Sequence, residues 1–263
     1  MSAGLARQML LQCDTSLADL YTSGAQKSRV LSELWFESNG YCLSCDNMTL
    51  RRTRANTRAT DFLCARCDQT YELKAFRVQP RKSLVDGAYS ALMGRILSGA
   101  APNLLMLERN AEWEIQNFTA IHHLFLTPEV IEKRKPLSEN ARRAGWIGCK
   151  IRLDLIVSDA KIPIIASGKA QDPRAVRGAF RTFEKLKLLS PERRGWTTLT
   201  LSVVRSLQSR SFTLRDLYEK ESEFAAVYPG NKNIRPKLRQ QLQVLRDLGY
   251  LAFLGNGTYR MLI

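Results

Sequence analysis

Residues 61–74 read DFLCARCDQTYELK, from Asp61 to Lys74, and two chemistries share the stretch. Side chains alternate along an extended strand, so Glu72 and Lys74 stand on one face while Leu73 turns to the core. Asp61 comes far enough before them to lie on the neighbouring antiparallel strand and face the same side. Between the two acids sit Cys64 and Cys67. The fold turns on whether these cysteines interrupt the strand pair or close its turn.

The other cysteines decide this. Of six in the chain, four form Cys-x2-Cys-x18-Cys-x2-Cys: Cys42, Cys45, Cys64 and Cys67. In that spacing two tight knuckles present four thiolates to one tetrahedral Zn2+. Metal binding would order the connection between the Asp61 and Glu72 strands and set their register. Four thiolates close the coordination shell and leave no position for an activated water, so this zinc is structural and any catalytic metal is separate. Cys13 and Cys149 lack such a partner spacing and read as small buried hydrophobes.

An acid two places before a lysine is common, and alone it reads equally well as a salt bridge on a strand. Set opposite a second acid across a zinc-clamped hairpin, it takes the pattern of the Asp…(Asp/Glu)-x-Lys nucleases. Phosphodiester hydrolysis needs carboxylates to hold a hard divalent cation, here Mg2+, and a lysine beside them to orient or help deprotonate water. Asp61 and Glu72 are the candidate metal-binding acids and Lys74 the candidate catalytic lysine. Glu33, on the preceding helix, is a further candidate carboxylate, with a solvated helix position as the alternative. His122 and His123 are adjacent on an expected strand and point to opposite faces, a poor arrangement for one metal.

Working outward, apolar spacing predicts a helix over about Ser28–Ser38. Arg51, Arg52, Arg54 and Arg58 form a basic finger between the knuckles, read as a solvated loop or as a phosphate contact. Residues 84–97 read as a helix, 103–109 and 113–126 as strands, and Thr127-Pro128 as the start of a short helix. A strand at KIPIIA follows, then a helix from about Pro173 to Leu189 capped by Asp172. Strands flanked by helices make an α/β core.

A boundary falls near Ser190, dividing the chain into residues 1–189 and 190–263. The second part reads helix, helix, basic helix, hairpin, the order of a winged helix-turn-helix whose third helix enters the DNA major groove. In that third helix Leu238, Leu242, Leu245 and Leu248 form one seam, and Lys237, Arg239 and Gln240 point elsewhere. Lys and Arg number 40 against 25 Asp and Glu, a formal charge of +15. That excess favours a polyanionic partner. No apolar run reaches the roughly 18–20 residues that span a bilayer, so a cytoplasmic protein without a membrane partner is expected.

The motifs AQKSRVLSELW, YCLSC, DFLCARC, YELK, DGAYSALM, RKPLSENARRAGWIGC, RGWT, SFTLRDLYEKES and RQQLQVLRD run in order through the chain. Together they resemble the DpnI-type methyl-directed (type IIM) restriction endonucleases. The resemblance implies a PD-(D/E)xK catalytic domain with an inserted zinc ribbon, followed by a winged-helix domain. It implies metal-dependent cleavage of double-stranded DNA at GATC carrying N6-methyladenine, with both domains reading the methylated site. Thr60 stands where that motif has proline. Reading a methyl group takes an apolar surface, which makes Trp146 a candidate for the methyl pocket, or a core residue. Arg142 and Arg143 beside it, and Lys237, are candidate phosphate contacts, and Arg239 and Gln240 candidate base contacts. A monomer in solution is expected. The competing reading is a zinc-ribbon and winged-helix regulator without nuclease activity.

Overall fold

In a computed structural model that describes residues 9–54 and 60–263, the chain runs three times through each of two units. Arg58 of the basic finger lies outside the described residues. Helix α1 (Gly24–Asn39) and strands β1 (Arg51–Arg52), β2 (Phe62–Leu63) and β3 (Thr70–Phe76) open the first unit. β4 (Ser83–Ala88) and α2 (Tyr89–Leu97) belong to the second, β5 (Asn103–Arg109) and β6 (Ile115–Ile121) to the first, and β7 (Ile131–Lys133) and β8 (Gly148–Arg152) to the second. β9 (Lys161–Ala166), β10 (Lys169–Ala170) and α3 (Pro173–Arg181) complete the first, and residues from Thr182 onward belong to the second.

The first unit is built on a sheet of order β1-β2-β3-β5-β6-β9-β10. β3 and β5 are parallel, with Glu72 opposite Leu104 and Lys74 opposite Met106. A parallel pair cannot close through a tight turn and needs a long crossover; here the crossover is the excursion that carries β4 and α2. β5, NLLMLER, is buried over nearly its whole length, as a central strand must be. Against the sheet α1 lays Leu31, Trp35 and Phe36. Trp35 meets Phe118 edge to face at 5.6 Å and Phe36 meets Phe62 at 4.7 Å, each pair adding about 0.5–1.5 kcal/mol beyond its buried area. At the end of α1, a side chain on Gly40 would meet the Phe36 carbonyl oxygen at 2.5 Å. Only glycine lets the chain turn there into Tyr41 and Cys42.

The second unit holds an antiparallel sheet of order β4-β8-β7 and the C-terminal elements. These are α4 (Pro191–Ser206), β11 (Ser211–Thr213), α5 (Leu214–Tyr218), α6 (Glu221–Val227), α7 (Ile234–Asp247) and the hairpin of β12 (Leu251–Gly255) and β13 (Thr258–Met261). The order is that of a helix-turn-helix with a wing. Leu238, Leu242, Leu245 and Leu248 are buried as one seam, and buried Gln241 accepts a 2.7 Å bond from the Thr197 hydroxyl, locking α7 to α4. The wing turns through Gly255, Asn256 and Gly257, all in the left-handed region with φ of 93°, 47° and 69°, which favours glycine and asparagine.

Some expected elements differ. Residues 84–97 are half strand: Leu84 and Asp86 are buried and alternate with exposed Val85 and Gly87, because β4 pairs with β8. The helix expected to run to Leu189 stops at Arg181, where the chain passes into the second unit, and a 3-10 turn covers Glu184–Leu188. Asp172 does cap it, accepting the Arg174 N–H. β6 ends before the histidines. His122 instead caps a 3-10 turn by accepting the Leu124 N–H, and its ring stacks on His123 at 4.8 Å. Among the described residues no helix is long and apolar enough to cross a membrane.

Candidate functional site

β2 and β3 pair antiparallel, with Phe62 opposite Tyr71 and Leu63 opposite Thr70. Asp61, one residue before β2, is held by backbone on both sides. Its N–H donates to the Tyr71 carbonyl at 2.8 Å and its carboxylate accepts the Leu73 N–H at 2.8 Å. Lys74 Nζ lies 2.6 Å from Glu72 Oε1. These three side chains line one cleft of about 310 Å3 together with Glu33, Thr53, Thr60 and the arginines 29, 52 and 54.

Glu33 is only 7 % exposed, so it is not a solvated helix residue. A buried carboxylate needs compensating charge, and Glu33 has it twice, from Arg29 Nε at 2.8 Å and from Arg52. The sequence reading did not single out Arg29, although its i,i+4 spacing from Glu33 carried the signal. Arg52, from the basic finger, reaches Glu33 because β1 pairs with β2 beside the cleft. The cleft therefore combines hard oxygen donors, suited to a divalent cation, with guanidinium groups suited to a phosphate.

The four cysteines converge. Cys42 and Cys67 sulfurs are 3.5 Å apart, Cys45 and Cys64 sulfurs 3.6 Å, and all four lie within 4.8 Å of one another. A tetrahedron with Zn–S bonds of about 2.3 Å has sulfur–sulfur edges of about 3.8 Å, so the donor set fits Zn2+. The second knuckle is the turn of the β2–β3 hairpin, closed by Cys64 N–H to the Gln69 carbonyl and Asp68 N–H to the Cys64 carbonyl, each 2.9 Å. Burial opposes ionisation of Cys64, but the Asn47 amide and the N–H groups of Arg66 and Cys67 outweigh it and bring the thiol down to about 6. Burial pushes Cys42 up. Helix α3 grips the first knuckle: Arg177 donates to the Cys42 carbonyl at 3.0 Å and Arg181 twice to that of Ser44. Cys13 and Cys149 are buried single thiols.

The remaining sequence candidates belong to the second unit. Trp146, between β7 and β8, is half-buried, with the Arg143 guanidinium 4.8 Å from its ring centre. Its ring lies against Gly148, where a side chain would collide at 2.9 Å. Arg142 is exposed. On α7, Arg239 and Gln240 are exposed and Lys237 is half-buried, its Nζ 5.8 Å from the Trp196 ring. The structure thus brings Asp61, Glu72, Lys74 and Glu33 into one cleft, and of the two arginines before Trp146 it sets Arg143 over the ring.

Two family models match the chain. The one described as DpnI, Dam-replacing family, covers residues 9–189, and the one described as DpnI_C, Dam-replacing HTH domain, covers residues 192–261.

Proposed function

The chain belongs to the Dam-replacing family of methyl-dependent restriction enzymes and carries that family's DNA-binding helix-turn-helix domain; from that premise we propose that it is a type II endonuclease cutting both strands of DNA at N6-adenine-methylated GATC. The carrying observation is the meeting of Asp61, Glu72 and Lys74 in one arginine-rimmed cleft. In this reading the first unit is a PD-(D/E)xK core with an inserted zinc ribbon, residues 1–189 form the catalytic domain and residues 190–263 the winged-helix domain. The enzyme acts in the cytoplasm and is a monomer in solution.

Asp61 and Glu72 would hold Mg2+, which when bound lowers the pKa of water and neutralises charge on the phosphate. The Leu73 N–H keeps the Asp61 carboxylate aimed into the cleft. Lys74, beside Glu72, orients the attacking water and takes part in its deprotonation. Arg29 and Arg52, held by Glu33, face the phosphate backbone. Helix α7 enters the major groove with Arg239 and Gln240 at base edges and Lys237 on a phosphate. Trp146 offers the added methyl an apolar face, with Arg142 and Arg143 on neighbouring phosphates.

Plasmid prepared from an adenine-methylating host and from a non-methylating host tests this directly. With Mg2+ only the methylated plasmid should be cut, and chelation of Mg2+ should stop the reaction. Methylated plasmid that is bound but left whole would favour the regulator reading, and equal cutting of both plasmids would remove the methyl requirement.

A further inference from the structure

One residue joins the acid cleft to the cysteine cluster. Tyr71 is fully buried on β3, and alternation sends its side chain to the face opposite that of its neighbour Glu72. Its hydroxyl oxygen accepts the Leu43 N–H at 3.0 Å and lies 3.2 Å from the Cys42 sulfur. Its main-chain carbonyl accepts the Asp61 N–H at 2.8 Å. A phenolic hydroxyl has one proton to give; with Leu43 donating to the oxygen, the direction left for that proton is the Cys42 sulfur, which as a thiolate is an acceptor. Phenylalanine would pack the same volume and offer neither bond. Tyr41, in the same knuckle, is also buried, yet its hydroxyl has no hydrogen-bond partner among the described residues.

We propose that Tyr71 is a positioning residue that couples metal binding at the four cysteines to the placement of Asp61 and Glu72. The hydroxyl orients Cys42 from the outer shell while the same residue's backbone carries the acids, so order in the knuckle is transmitted along one strand. The catalytic half of this proposal rests on the nuclease reading above, and the zinc half does not.

The test compares full-length, zinc-loaded wild type with Tyr71→Phe and, as control, Tyr41→Phe. Zinc transfer to a chelating dye should be about tenfold or more faster for Tyr71→Phe, the size typical of losing an outer-shell partner, and unchanged for Tyr41→Phe. On methylated DNA, Tyr71→Phe should lower kcat at saturating Mg2+ and leave KM unchanged. Zinc release at the wild-type rate overturns the proposal, and so does faster release with an unchanged kcat. Hydrogen exchange on the wild-type protein, with and without chelator, decides the coupling without a variant that must fold and without cleavage. Protection lost at Leu73 as well as at Cys45 supports it; loss confined to the knuckles overturns it. If the wild-type protein cuts no DNA, the nuclease reading fails, while zinc release still judges the Tyr71 hydroxyl and exchange still judges the coupling of the knuckles to the acid-bearing strands.

Discussion

Replacing Asp61 by asparagine and by alanine separates what its charge does from what its oxygen does. The carboxylate accepts the Leu73 N–H at 2.8 Å in a partly buried position. A hydrogen bond to a charged group contributes about 1.5–3 kcal/mol and a neutral one about half of that. Asparagine keeps an acceptor oxygen, so it should cost about 1 kcal/mol; alanine strands the N–H and should cost about 2–3 kcal/mol. Removing the charge also relieves repulsion from Glu72 and Glu33, but that gain is shared by both variants and cancels in their difference. The alanine variant should therefore melt below the asparagine variant by about 1–2 kcal/mol, roughly 2–8 °C for a chain of this size. Scanning calorimetry on zinc-loaded, Mg2+-free protein reads the gap, and a plasmid assay should find both variants unable to cut. Equal melting temperatures would refute the claim that this carboxylate satisfies the Leu73 N–H in the folded protein, and cutting by the alanine variant would refute its role in holding the metal.

Lys74→Ala should abolish cleavage and leave binding to methylated DNA intact in a gel-shift titration; loss of binding along with cutting would make the lysine structural. Cys64→Ser removes one ligand of the cluster and should release zinc and lower the melting temperature of the protein, so a zinc-replete, fully stable variant would contradict the clamp. Burial holds His123 down to about 4, with the Arg194 charge acting the same way, and burial likewise holds His122 well below its ordinary value. A base depressed from its ordinary value near 6.5 takes up protons first in the unfolded chain, so its stabilisation is present above that value and is lost as pH falls toward 4. For His123 the loss is about 2 kcal/mol by pH 5, and His123→Phe should flatten the fall in urea midpoint between pH 7 and pH 5. Identical slopes for variant and wild type would show that His123 does not titrate on unfolding.

What was legible in the sequence is what short spacing encodes. Two Cys-x-x-Cys pairs eighteen residues apart have the spacing of two zinc knuckles, and strand alternation placed Glu72 and Lys74 on one side of Leu73 with the Asp61 strand alongside. The leucine seam of α7 and the Gly-Asn-Gly wing were equally local. The strand in residues 83–88 escaped because its partner, β8, lies sixty or more residues away, and non-local pairing overrode an apolar pattern that also suits a helix. Glu33 shows both cases in one side chain. Its tie to Arg29 follows helical spacing, whereas its tie to Arg52 exists only because a sheet edge is built beside α1. The unit to which Trp146 belongs depends on contacts that no sequence pattern states.

The interleaving of the two units bears on how the protein can be made and divided. The first unit has all its residues once Arg181 has left the ribosome, whereas the second waits for the last strands of the chain. Until then β4, α2, β7 and β8 are tethered to a finished neighbour and lack α4, which packs against the turns at His123–Phe125 and Pro128–Val130. Phe183 bridges the same gap, touching Phe125 on one side and Tyr250 on the other. A cut in the peptide near Ser190 would therefore not liberate two self-sufficient halves. It would open the interior of the second unit on both fragments, and each would be prone to aggregate.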